Sequence, residues 1–142
     1  VQTFLPYPSY AESARVLDYR RLGKQRVETK QILLAMNKTE GGWRNHPATK
    51  MWRGHKTELA RYGAAMCREW QSRGYKDSLE PFFQHVVDYC ETLGLEPHPP
   101  AWLGDESIHA SHRSNLIRKD PVFYAQFGWS EGPDLPYIWP VE

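Results

Sequence analysis

From Gly54 to Arg73 the apolar residues Leu59, Tyr62, Met66, Cys67 and Trp70 return every three or four positions, with Lys56, Arg61, Arg68 and Arg73 off the stripe. That is the spacing of one face of an α-helix. Gly74 ends the segment, and Asp77 or Ser78 is placed to cap a further helix in which Phe82, Val86, Tyr89, Cys90 and Leu93 line one side before Gly94 closes it. Asp105 to Lys119 repeats the pattern with Ile108, His112 and Leu116 aligned, so His112 faces inward or into a cleft. No stretch alternates with a period of two and no internal repeat occurs, so the expected fold is all-α. The chain has 142 residues, the size of one domain with its own core, and a single helical domain over 1–142 is expected.

The N-terminal third adds charge to this pattern. Pro6 and Pro8 hold the first residues extended, and Ser9 with Glu12 forms a capping box, which predicts a helix from Ser9 to Met36 with Gly23 as its weak point. Its middle, Leu17 to Gln31, carries Arg20, Arg21, Lys24, Arg26 and Lys30 against only Asp18 and Glu28. At helical spacing Arg20, Arg21, Lys24, Glu28 and Gln31 share one face, whereas Arg26 falls among Leu22, Leu33 and Met36. Such a face can hold a polyanion around one proton-transfer group. The structural alternative for Glu28 is an ordinary pair with Lys24 one turn earlier, worth about 0.3–0.5 kcal/mol.

Net charge reinforces the first reading. The formal value is +1, yet residues 1–76 hold 15 Lys/Arg against 6 Asp/Glu, or +9, and residues 77–142 hold 3 against 11, or −8. One surface of such a domain is suited to meet an anion, or else the two halves attract each other. Between helices, Asn37 through Gly42 reads as a loop, and Trp43-Arg44-Asn45-His46-Pro47 forms a corner because Pro47 bars His46 from helical geometry and suits the first turn of the next helix. Arg44, Asn45 and His46 there can bind an anion or simply cap the helix. Glu96 to Pro100 reads as an extended connection, Pro121 restarts a short helix through Phe127, and the aromatic tail after it reads as an irregular strap.

Several chemistries lack their signatures: the chain has no P-loop, GxGxxG, GxSxG or CxxC. His109 and His112, three apart, could join His46 and His55 around a metal, which leaves a metal-dependent hydrolase as one alternative and a hydrogen-bonded core histidine as the other reading of His112. Cys67 and Cys90 fall on apolar faces and read as buried free thiols. No apolar run is long enough to cross a bilayer, and the start VQTFLPYPSY lacks the n- and h-regions of a secretory signal, so the expected setting is cytoplasmic. Trp43, Trp52 and Tyr62 could supply stacking surfaces, although aromatics at such positions more often belong to the core. It is the basic half together with the corner of Arg44, Asn45 and His46 that favours nucleic acid over other anions.

The corner Gly42-Trp43-Arg44-Asn45-His46-Pro47, followed by a helix ending Glu69-Trp70-Gln71-Ser72-Arg73-Gly74-Tyr75, resembles the pyrimidine-dimer DNA glycosylase family of the phage endonuclease V type. Weaker similarity continues through Ser111-His112-Arg113-Ser114 and from Asp120-Pro121 to Trp129. The resemblance implies a compact all-α DNA glycosylase with associated AP lyase activity. It implies that the N-terminal α-amine attacks the sugar C1′ to give a Schiff base, assisted by a helix-borne glutamate. An α-amine pKa of about 8, against about 10.4 for lysine, leaves more free nucleophile near neutrality. The candidate amine is that of Val1. For the glutamate, aligning on Tyr19-Arg20 puts Arg21 at the family's acid, whereas counting back from the corner puts Glu28 there, and Glu28 is the choice.

Arg20, Arg21, Lys24, Arg26 and Arg44 are then expected to hold DNA phosphates, with Asn45, His46, His112 and Arg113 at the pocket. Neither metal nor organic cofactor is expected, and the expected partner is double-stranded DNA bound by a monomer. Two departures stand out: Gln2 replaces the family's arginine, and nothing after Lys119 is Lys or Arg. A nucleic-acid-binding protein that keeps the fold without the catalysis is the competing reading.

Overall fold

The structure, a computed structural model, describes residues 2–37, 42–95 and 98–140. Val1 and parts of the two expected loops lie outside the described residues. Within them are seven α-helices: α1 (Tyr10–Val16), α2 (Tyr19–Met36), α3 (Pro47–Lys50), α4 (Lys56–Ser72), α5 (Glu80–Thr92), α6 (Glu106–Lys119) and α7 (Pro121–Tyr124). Single 3-10 turns cover Gly42–Asn45 and Ala125–Phe127. Among the described residues there is no strand, and the fold is all-α as expected.

The apolar stripe of α4 makes it the central helix. Leu59, Tyr62, Met66 and Cys67 are fully buried, and α4 packs against α1, α2 and α5. Gly63 sets the approach of α5, because the Phe83 ring lies 2.5 Å from where a Cβ at Gly63 would stand. This contact turns α5 away from the expected face. Phe83, Val87 and Cys90 are buried, whereas Tyr89 is 58% and Leu93 55% exposed. Cys67 and Cys90 are free thiols.

The expected single helix from Ser9 to Met36 is broken, though not at Gly23. Leu17 and Asp18 are extended, with ψ of 139° and 158°. The cause is a buried contact: the Asp18 N–H donates to the Tyr124 hydroxyl at 3.1 Å, and that hydroxyl donates back to Asp18 Oδ1 at 2.6 Å. A continuous helix would direct this N–H to the preceding turn instead. Gly23 stays helical and lets the Trp70 ring come within 3.1 Å of its would-be Cβ.

The N-terminal segment runs extended through the core, held by side chains of α2, α4 and α6 and by Trp52 in the turn after α3. Thr3 Oγ1 accepts from the Trp52 indole, Phe4 N–H donates to Gln25 Oε1, and the Tyr62 hydroxyl is shared between Gln25 Oε1 and the Phe4 carbonyl. Leu5 N–H donates to His112 Nδ1 at 2.9 Å, the Leu5 carbonyl accepts from His109 Nδ1 at 2.7 Å, and the Pro6 carbonyl accepts from Arg113. Backbone groups drawn into a core need such partners. The C-terminal strap is tied down similarly, through Glu131 to Arg113 and through Gly132 and Leu135 to Ser114.

Candidate functional site

α2 presents Arg20, Arg21, Lys24, Glu28 and Gln31 to a cleft of about 990 Å³. Lys119, the last residue of α6, faces them, so among the described residues four cations and one carboxylate line the space. Gln2, Phe4, Trp70 and Tyr137 supply much of the remaining wall. A second concavity of about 520 Å³ shares Tyr19, Arg20, Arg21 and Lys119 and extends the cationic surface toward Tyr75. Tyr75 stacks on Trp70 with ring centroids 4.3 Å apart, which places an exposed ring on a half-buried one at this edge.

The cations differ in how free they are. Arg21 Nη1 lies 3.1 Å from Asp18 Oδ1. Burial would raise the Asp18 carboxyl, but hydrogen bonds from Tyr124 and Arg21 outweigh it and hold its pKa below the ordinary carboxylate range. Lys119 is pushed below the usual lysine range, by burial first and then by the neighbouring charges of Arg21, Arg118 and Lys24. Glu28 is half-buried on the same wall, close enough that, after burial itself, its charge helps raise the phenol of Tyr62. The face is therefore cationic overall, with one carboxylate set into it.

The other expected site residues lie elsewhere. Arg26 turns inward, pairing with Asp77 at 2.6 Å and lying over the Trp70 ring at 4.8 Å, so it does not line the cleft. Asp77 meanwhile accepts from the N–H groups of Leu79 and Glu80 at the start of α5, which makes the pair part of the packing between α2 and α5. Arg113 is 7% exposed and bound to Glu131, Glu106 and the Pro6 carbonyl, so it holds the N-terminal segment and the strap together.

The corner, where Arg44 was expected to hold phosphate and Asn45 and His46 to be at the pocket, does not line the cleft. His46 caps α3 by accepting the Ala48 N–H at Nδ1, and Arg53 donates to the Arg44 carbonyl and to Asn45. Burial lowers the His46 pKa. The corner backs the cleft through aromatic contacts, His46 meeting Trp139 at 5.9 Å and Trp139 meeting Tyr137 at 5.6 Å.

His112 is fully buried behind Phe4 and Tyr137, meeting both rings edge-on. Burial, then the nearby His109, pushes its pKa down to about 3, so it stays neutral near pH 7. Because its Nδ1 accepts from Leu5, the proton sits on Nε2. His109 has the opposite arrangement: Nε2 accepts from Gly104, and Nδ1 donates to Leu5. Both rings are thus used in positioning the segment that leads to Gln2. Among the described residues no group of three or more His, Cys, Asp or Glu is arranged to hold a metal ion, and no helix is long and apolar enough to cross a membrane.

Lys119, Tyr137, Phe4 and Gln2 are among the wall residues that sequence patterning did not assign. Lys119 had one signal, its position at the cationic end of α6 beside Arg118. Tyr137 had none, because an irregular tail carries no periodicity.

The fold and cleft define an all-α protein with a cationic, aromatic-walled groove matched to a charged, base-bearing polymer. Residues 1–83 match the family model for pyrimidine dimer DNA glycosylase, more than half of the chain, and the chain belongs to that family. Membership makes it a DNA-repair glycosylase by class, with DNA as its substrate. No curated protein and no solved structure matches the chain. The matched portion contains the whole α2 wall with Gln2, Phe4 and Trp70, while Lys119 and Tyr137 come from outside it.

Proposed function

We propose that the chain is a DNA glycosylase with associated AP lyase activity, working through the amine of Val1 and the carboxylate of Glu28. The observation that carries the reading is Glu28 as, among the described residues, the one carboxylate set between the cations of a cleft that Gln2 also lines. Val1 is covalently joined to Gln2, so its amine begins one residue from that wall. The reading requires Val1 to be the mature first residue, which an intact mass determines.

The neutral amine attacks C1′, and the bond from C1′ to the base nitrogen breaks. The departing base takes the electron pair and a proton. Loss of a proton from the attacking nitrogen and opening of the sugar ring give the imine. Its protonated form acidifies the 2′ hydrogen, and removal of that proton expels the 3′ phosphate and cuts the strand. Glu28 stabilises the cationic imine and accepts protons in turn. Arg20, Lys24 and Lys119 hold the flanking phosphates, and Arg21 does so as far as Asp18 leaves it free.

Borohydride trapping on a duplex with an abasic site tests this. The expected result is a covalent adduct that maps to Val1. An adduct elsewhere, or none where DNA binds, overturns the Schiff-base step. The competing reading, a DNA-binding protein of the same fold without catalysis, draws on Arg21 standing at the family's acid position in one alignment. It predicts salt-sensitive binding with no base release.

A further inference from the structure

The cleft wall contains a buried polar group that neither the fold nor the chemistry above uses. Gln2 is 4% exposed and lines the cleft. Its Oε1 accepts the Thr3 N–H at 2.9 Å, which fixes the amide orientation and leaves Nε2 as its donor end. Among the described residues, Nε2 is buried and meets no acceptor. An unpaired buried amide is unfavourable, and a site that pairs it only with the correct ligand discriminates strongly against ligands without the matching acceptor.

The surroundings narrow the class of ligand. Phe4 and Tyr137 share the cleft with Gln2, their ring centroids 6.4 Å apart, and Arg20, Lys24 and Lys119 line it as well. Rings favour a planar aromatic group, and the cations favour phosphates attached to it. The end of the amide that has no partner is Nε2, a donor, so the group it would pair with is an acceptor edge and not an amino group. We propose that Gln2 Nε2 hydrogen-bonds a carbonyl oxygen of a nucleobase turned out of the duplex into the cleft against Phe4 and Tyr137. The inference rests on the DNA-glycosylase reading and adds the group that recognises the base.

The test compares two duplexes of one sequence, one with a cyclobutane thymine dimer and one with tetrahydrofuran in its place, which has the backbone but no base. Gln2→Met removes the donor at similar length, and Gln2→Leu is carried in parallel, with thermal unfolding recorded for both. The expected result is about tenfold weaker binding of the dimer duplex and less than about a twofold change on the tetrahydrofuran duplex, the loss of a single hydrogen bond. Equal losses on both duplexes would mean that Gln2 supports the strand or the fold, and would overturn the proposal. Unchanged binding of the dimer duplex would overturn it too, while leaving the glycosylase reading intact if the protein still cleaves. Failure of the unsubstituted protein to bind or cleave either duplex would overturn both.

Discussion

At Gly63 a single hydrogen atom decides how two helices meet. Alanine in a helix interior ordinarily stabilises by about 1 kcal/mol relative to glycine. Here the added Cβ would stand 2.5 Å from the fully buried Phe83 ring, so Gly63→Ala is expected to destabilise by about 1–3 kcal/mol in urea unfolding. His112 acts through protonation. Its folded pKa of about 3 lies below the ordinary value of 6.5, so the unfolded chain binds the extra proton between those values and stability falls as pH drops below about 6.5. The slope from this residue is about 1.4 kcal/mol per pH unit. The chain should therefore lose about 2 kcal/mol between pH 7 and pH 5 through His112, and His112→Gln should lose that part of the slope when unfolding is measured at both pH values.

At the level of elements, α2 divides its cations between two uses. One face lines the cleft, while Arg26 pairs with Asp77, whose side chain is 1% exposed. Removing one member of a buried pair strands the other, so Asp77→Ala should cost about 3 kcal/mol in urea unfolding, whereas substitutions at Lys24 should cost little. The α2 face was legible from sequence because helical periodicity alone fixes which side chains share a side. The inward placement of Arg26 was legible for the same reason, but its role was not, since Asp77 lies 51 positions away. The break at Asp18 escaped for a similar cause: it depends on Tyr124, 106 positions on. α5 shows that apolar periodicity gives the existence of a helix more readily than its rotation, which Gly63 and Phe83 set together. At the site, the Arg44 to Pro47 corner read somewhat more readily as a cap than as an anion site, and His46 does cap α3, accepting the Ala48 N–H two residues on.

Over the whole molecule, the basic first half and the acidic second half are only partly paired with each other. Arg26 with Asp77 and Arg68 with Glu80 join them, while Arg20, Lys24 and Lys119 remain on the cleft surface. These residues should govern DNA binding. Lys24→Ala and Lys119→Ala should each lower the slope of log affinity against log salt by about 0.9, the release of one counterion. Arg68→Ala should leave that slope unchanged. The measurement closest to the central claim is strand cleavage of a dimer-containing duplex by Glu28→Gln, with affinity determined on the same DNA. The account predicts cleavage reduced by at least about a hundredfold with affinity within about twofold. Cleavage by the variant at the unsubstituted rate would contradict it.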